Sequence, residues 1–169
     1  INFSFEAYYK RTSNMLMRVP ESYTVTGEGY RWKNVGVMAN KGIELSADGD
    51  VIRTRDFTWN VSANVSYNQN RLKELYNGVT EYVNSTTGLK YVVGHSVSEF
   101  FLNRYAGVNP ANGEQLWYDK NGNVTNEFRE SDKVMTGKTY DAPWMGGFGT
   151  SFRWKGLQLS AQFSWIGTR

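Results

Sequence analysis

Phe57-Thr58-Trp59-Asn60-Val61-Ser62-Ala63-Asn64-Val65-Ser66-Tyr67 alternates apolar and polar residues without a break. A period of two is the pattern of a strand whose side chains point to opposite faces, so this stretch is a strand with one apolar and one polar side. The pattern returns over 157–165, where Leu157, Leu159, Ala161, Phe163 and Trp165 oppose Gln158, Ser160, Gln162 and Ser164. It recurs over 43–52, with Ile43, Leu45, Ala47 and Val51 against Glu44, Ser46, Asp48 and Asp50, and over 3–9, with Phe3, Phe5, Ala7 and Tyr9 against Ser4, Glu6 and Tyr8. Residues 148–155 form a looser fifth case.

Connections between these strands alternate in length. Residues 53–56 and 155–156 are tight turns, whereas 10–42 and 68–147 are long excursions. Compact soluble domains rarely carry loops above ~12–15 residues without structure of their own, while outer-membrane barrels pair short periplasmic turns with long external loops. With the short turns set as periplasmic, Phe57, Trp59 and Trp154 fall near that end. Tyr67, Phe148 and Trp165 then fall near the external end, around a middle of Val61, Ala63 and Val65. Such aromatic rims match the interfacial girdles of a barrel. About 11 residues at ~3.3 Å, tilted ~45°, rise about 25 Å, the height of the apolar band. The expected fold is therefore all-β, an antiparallel transmembrane β-barrel segment with long extracellular loops. Five strands do not close a barrel, so residues 1–169 are expected to be part of a larger one. The competing reading is a soluble β-sandwich that meets carbohydrate through exposed Trp and Tyr.

Composition narrows function. A mean hydropathy of −0.57 and the lack of any long apolar run exclude helical spans. The chain has no Cys, which removes disulfides, thiolate metal sites and cysteine nucleophiles. Net charge is only +3, with no basic run, so nucleic acid is not an expected partner. Within 68–147, Asn112-Gly113 and Asn121-Gly122 flank Leu116-Trp117-Tyr118 and predict a small meander inside the loop. Leu72 to Tyr76 reads as a strand extension or a short turn of helix.

At this point a family resemblance is carried by named residues. Asn34-Val35-Gly36-Val37-Met38-Ala39-Asn40-Lys41-Gly42-Ile43-Glu44-Leu45, then Asp56-Phe57-Thr58-Trp59 and Asn68-Gln69-Asn70-Arg71, resemble the C-terminal barrel portion of SusC/RagA-type TonB-linked outer-membrane transporters. Tyr105-Ala106-Gly107-Val108-Asn109-Pro110, Gly146-Gly147-Phe148-Gly149-Thr150-Ser151 and Leu157-Gln158-Leu159-Ser160-Ala161-Gln162-Phe163 follow in the order of that family's landmarks. The resemblance implies a 22-stranded barrel with an N-terminal plug, placed in the outer membrane of a Gram-negative, Bacteroidota-type bacterium. It also implies a SusD-like surface lipoprotein as lid, the TonB complex acting through the plug, and import of oligosaccharides, peptides or similar cargo without covalent chemistry. Residues 1–169 would then be one partial barrel domain lacking the plug and the closing C-terminal strands, with 68–147 as its long extracellular loop region.

Candidate site residues follow from both readings. Asn60, Ser62, Asn64 and Ser66, with Gln158, Ser160 and Gln162, are expected to line the lumen with uncharged polar groups suited to hydroxyl-rich cargo. Tyr91, Phe100, Phe101, Tyr105, Trp117 and Tyr118 are loop aromatics that could stack on sugar, anchor the lid or pack the loop on itself. The single His95 has no nucleophile-elbow setting and reads as a loop residue. Asp48 and Asp50 share one strand face, which does not let them flank a scissile bond. Asp119, Asn121, Asn123 and Glu130 mimic part of a calcium loop, but Val124 stands where Gly is needed, so a hairpin turn is expected. The Asn-x-Ser/Thr triplets at Asn2, Asn60, Asn64, Asn84 and Asn123 carry little meaning in a bacterial setting. No cofactor is expected.

Overall fold

The computed structural model describes residues 1–84 and 88–167; the triplet that begins at Asn84 runs on outside them. The chain opens with β1 (Asn2–Ser13), then a hairpin of β2 (Leu16–Pro20) and β3 (Tyr30–Asn34) with a one-turn helix α1 (Tyr23–Thr26) between them, and returns as β4 (Val37–Arg53). A tight turn, closed by Thr54 N–H to the Phe57 carbonyl at 2.7 Å, leads into β5 (Phe57–Glu74). Short strands follow: β6 (Glu81–Val83), β7 (Lys90–Val92), β8 (Glu99–Leu102), β9 (Arg104–Val108), β10 (Gln115–Tyr118), β11 (Val124–Thr125) and β12 (Val134–Thr139). The chain then completes a second long hairpin, β13 (Trp144–Trp154) and β14 (Leu157–Ile166).

Five long strands form one antiparallel sheet, in the order β1-β4-β5-β13-β14. Its register aligns like with like in several rows through the middle of the sheet. One row runs Phe3, Ala47, Ala63, Phe148 and Phe163, and a second runs Phe5, Leu45, Val65, Gly146 and Trp165. Between them lies Ser4, Ser46, Asn64, Gly147 and Ser164. Because a one-residue slip would invert every side chain, this register is what makes one continuous apolar face and one continuous polar face. The period-two stretches and both tight turns are where the sequence places them. A bulge between Asp50 and Ile52 leaves Val51 without a ladder partner, so Ile52, not Val51, stands opposite Trp59.

The apolar face is left open: Phe3 is 70% and Phe163 60% exposed. A sandwich would cover that face with a second sheet, and here the small strands form separate two- and three-stranded sheets. No helix among the described residues is long and apolar enough to cross a membrane.

The long strands reach further than the sequence pattern indicates. Residues 37–42 belong to β4, 68–74 to β5 and 144–147 to β13, so the excursions shorten to 14–36 and 75–143. Over 68–71 alternation fades because both faces turn polar, yet the ladder continues. Gly42 shows why glycine sits in that extension. Tyr8 lies across it to donate to Asn68 Oδ1 at 3.1 Å, and a Cβ on Gly42 would collide with the Tyr8 ring and the Tyr67 carbonyl.

Packing is concentrated at this same end. Leu72, fully buried, joins Met17 and Leu75, with Met15, Val35, Tyr82, Tyr91, Val93 and Val97 against them. Beyond the top of β13 the edge of β5 is taken over by the loop itself: Gly94 N–H donates to the Leu72 carbonyl and Leu72 N–H to the His95 carbonyl, both at 2.8 Å. Leu72 to Glu74 is strand, and a 3-10 turn follows at Tyr76–Gly78. The expected meander is present as β9-β10-β11, with turns at Asn112-Gly113 and Asn121-Gly122.

Candidate functional site

Asn60, Ser62, Asn64 and Ser66 project from β5 to the polar face, and the register brings Ser160 and Gln162 of β14 to the same side through Ser151 and Gly149 of β13. Asn60, Ser62, Ser151, Ser160 and Gln162 line a recess of about 350 Å³ over Gly149. Gln158 lies one row further, with Arg153 and Thr58. Carboxylates share this face, so it is more charged than the seven residues alone suggest. Asp48 accepts from Asn2 Nδ2 and Asp50 from Asn60 Nδ2, each at 3.1 Å, and Arg53 lies 3.7 Å from Asp50. Glu6 stands directly opposite Glu44. Each of the two aspartates thus has its own partner, an arrangement for hydration and hydrogen bonding rather than for proton transfer to a shared substrate.

Further up the same face, Asn70 is a hub the sequence did not reveal. Its Nδ2 donates to Asn40 Oδ1 at 2.9 Å and lies 3.6 Å from Met38 Sδ, while its Oδ1 accepts the Val97 N–H at 3.0 Å and the Ser96 hydroxyl at 3.4 Å. The segment 96–98 is thereby pinned across the strand. Glu99, only 7% exposed, follows it; one oxygen accepts the Gly137 N–H at 2.8 Å and the other lies 2.9 Å from His95 Nδ1. His95 is thus a loop residue, but one that holds β8 and β12 to the wall. Asn40, Asn68, Asn70, Ser96, Ser98 and Glu99 border a recess of about 290 Å³. Amide and hydroxyl groups there offer both donors and acceptors, which suits a cargo rich in the same groups. Only the polar spacing Asn68-Gln69-Asn70 signalled this region. Its partner segment comes from a distant loop, and no local pattern announces that pairing.

The loop aromatics do not converge. Tyr91 stacks on Tyr82 with centroids 6.3 Å apart, and Phe100 meets Tyr140 edge-on at 6.3 Å. Lys90 sits over Phe101 at 5.1 Å and Arg104 over Tyr118 at 5.4 Å. Trp117 is edge-on to both Tyr105 and Phe128, at 5.5 and 5.1 Å. Burial raises the Tyr91 phenol, with Tyr140 and Tyr82 adding to the effect, and burial followed by Tyr82 raises that of Tyr76. Both therefore stay neutral and serve as packing rings.

Asp119 turns the meander. Its carboxylate accepts the N–H groups of Asn121 and Asn123 at 2.8 Å each and Asn123 Nδ2 at 3.0 Å, and the Asn123 hydrogen bonds foremost hold it below the usual carboxylate range. This is a hairpin turn, as the missing Gly indicated. Among the described residues, no group of three His, Cys, Asp or Glu is placed to hold a metal ion.

Comparison with known proteins now bears on this geometry. The family model described as "TonB dependent receptor-like, beta-barrel" matches residues 1–169. TonB-dependent receptor SusC of Bacteroides thetaiotaomicron is 29% identical over 139 residues, covering 74% of this chain and 14% of the relative. TonB-dependent receptor P39 of Formosa agariphila is 39% identical over 75 residues, covering 44% of this chain and 7% of the relative. The structure of the RagAB peptide importer in its "open-open" state superposes with a TM-score of 0.86 at 31% identity, over 99% of this chain and 19% of that one. The chain spans less than a fifth of the length of each of these relatives.

Proposed function

From the premise that this chain belongs to the TonB dependent receptor-like β-barrel family, we propose that it forms wall and extracellular loops of an active importer in a Gram-negative outer membrane. The sheet is a barrel segment, and the observation that carries the functional reading is its register. Through the middle of the sheet the apolar rows lie on one side, where Phe3, Phe5, Phe148 and Phe163 are exposed as lipid-facing residues are, and the polar rows lie on the other, as lumen-facing residues are. Asn60, Ser62, Asn64, Ser66, Gln158, Ser160 and Gln162 then line the passage. Within the loops, Tyr91, Phe100, Phe101 and Tyr118 hold the fold together, while Tyr105, 55% exposed beside Trp117, is available to cargo or to a lid.

In this reading the complete transporter pairs with a SusD-like surface lipoprotein, draws energy from the TonB complex through its plug, and takes up oligosaccharides, peptides or similar cargo. It performs no covalent chemistry and uses no cofactor. The facing is tested in the full-length transporter reconstituted in vesicles, with a spin label placed at residue 63 or at residue 64. A lipid-confined relaxer should broaden the label at 63 and an aqueous one the label at 64; the reverse result would overturn the facing. Import is tested in living cells, where loss of TonB should abolish cargo accumulation.

A further inference from the structure

Between the row of Phe57 and Trp154 at the tight-turn end and the row of Tyr67 and Trp144, no described residue on the apolar face of the wall is charged. The rings of Tyr67 and Trp144 pack with centroids 4.6 Å apart. One row beyond them the same face changes character. Its register continues as Tyr9, Lys41 and Gln69, and then as Arg11, Ala39 and Arg71. These two rows hold three cations and no carboxylate. Lys41 is exposed and makes no ion pair among the described residues. Arg11 meets Glu74 at 3.2 Å with both side chains more than half exposed, and Arg71 Nη1 donates to the Gly94 carbonyl. Only Ala39 stands between the two arginines, so nothing bulky separates them. Lower on the same face, Ala47 and Ala63 floor an apolar groove of about 360 Å³ among Phe3, Phe148 and Trp165.

We propose that Lys41, Arg11 and Arg71 form a binding site for the phosphate of an anionic lipid in the leaflet at the loop end of the wall; the proposal rests on the lipid-facing assignment above. Tyr and Trp rings settle at the level of lipid headgroups, so the Tyr67–Trp144 pair sets the depth and the cations stand just beyond it. Long basic side chains lay their stems on apolar surface and carry the charge to that level. Arginine offers phosphate a planar fork of donors, and lysine adds a point charge. Leu45, which borders the groove, is four residues from Lys41 on β4, ~13 Å along the strand. A lipid with its phosphate at Lys41 thus has the start of an acyl chain within reach of the groove. An acidic protein partner would use the cations but neither the groove nor the aromatic pair.

The test uses the full-length transporter in phosphatidylcholine vesicles that hold a minor share of phosphatidic acid. A photo-crosslinking side chain replaces Ile43, which lies one row below Lys41 on the same face, and captured lipids are identified by mass spectrometry. Phosphatidic acid should be captured about fivefold or more above its share, the scale of one cation acting at an anionic membrane surface. Lys41→Gln and Arg11→Gln should each reduce that enrichment to about twofold or less, and Lys41→Arg should retain it. Arg55→Gln, in the tight turn at the far end of the wall, should leave it unchanged. Inorganic phosphate should lower the enrichment no more than sodium chloride of equal ionic strength. Capture in proportion to the vesicle composition, undiminished enrichment in both glutamine variants, or specific displacement by inorganic phosphate would each overturn the lipid site while leaving the facing intact. If residue 43 captures no lipid of either kind, the lipid-facing assignment fails as well.

Discussion

The wall and the loops of this molecule solve the same problem in opposite ways. In the five-stranded sheet, large side chains such as Phe3 and Phe163 stay open to the surroundings. At the loop end, Leu72, Met17 and Leu75 close on one another, and even polar Ser98 and Glu99 are buried with partners. The wall thus leaves its apolar face open, while the loops complete themselves.

The sharpest way to break this contrast is to empty the loop core. Leu72→Ala should cost about 2–5 kcal/mol, the range for removing a fully buried Leu. Hydrogen exchange of the full-length transporter should show faster exchange in 93–99 while the tight-turn end of β4 and β5 keeps its protection. Uniform loss along β5 would mean that wall and loops are one cooperative unit.

On the wall, Ala63→Arg places a charge in the middle of the apolar face and should cost about 2–4 kcal/mol. Outer-membrane abundance and heat-modifiable migration of the transporter report it, and normal assembly would overturn the facing. Val124→Arg, at an exposed loop position, is the matched control and should stay within about 0.5 kcal/mol.

A smaller effect is expected where the two regions join. Gly42→Val forces a side chain into the Tyr8 ring and should cost about 1–3 kcal/mol, as overpacking does. The double variant with Tyr8→Ala should recover part of the loss, because it removes the clash with the Tyr8 ring while the closer one with the Tyr67 carbonyl stays. Additive losses would show that the ring is not the obstacle.

The smallest effect concerns the Asp119 turn. Its folded pKa lies below the unfolded one, so its contribution is complete above the ordinary carboxylate range and is lost as pH falls through the depressed value. Protection of the Asn121 and Asn123 amides should be independent of pH near neutrality and drop only in strong acid. Asp119→Asn should remove that acid-sensitive step.

What the sequence discloses follows the same division. The alternation of 57–67 and 157–165 is legible because the sheet keeps one apolar and one polar face residue by residue. It stops being legible at Asn68, where the β5 ladder continues but both faces meet polar groups. The bulge at Val51 is equally silent, since the residues around it still read as alternating. Loop chemistry is legible only where it is local. Asn112-Gly113 and Asn121-Gly122 announce their turns, whereas the Asn70–Val97 and Glu99–Gly137 contacts join segments far apart in sequence. Of the candidate residues, the seven polar ones share a face because period two dictates it. Of the six aromatics, Tyr105 and Trp117 meet edge-on while the others pack on separate partners, because ring composition says nothing about direction.

The backbone bonds from residues 94 and 95 to Leu72 have a mechanical consequence. A loop tethered only at its two ends swings like a gate on a hinge. This one is riveted along the top of a strand, so a load applied to β8 or β12 is carried into β5 as shear between hydrogen-bonded neighbours. These two bonds share the load with the Asn70 side-chain bonds to the Val97 N–H and the Ser96 hydroxyl, so it is spread over four hydrogen bonds on neighbouring residues. The loop end of this wall therefore behaves as a stiff bracket.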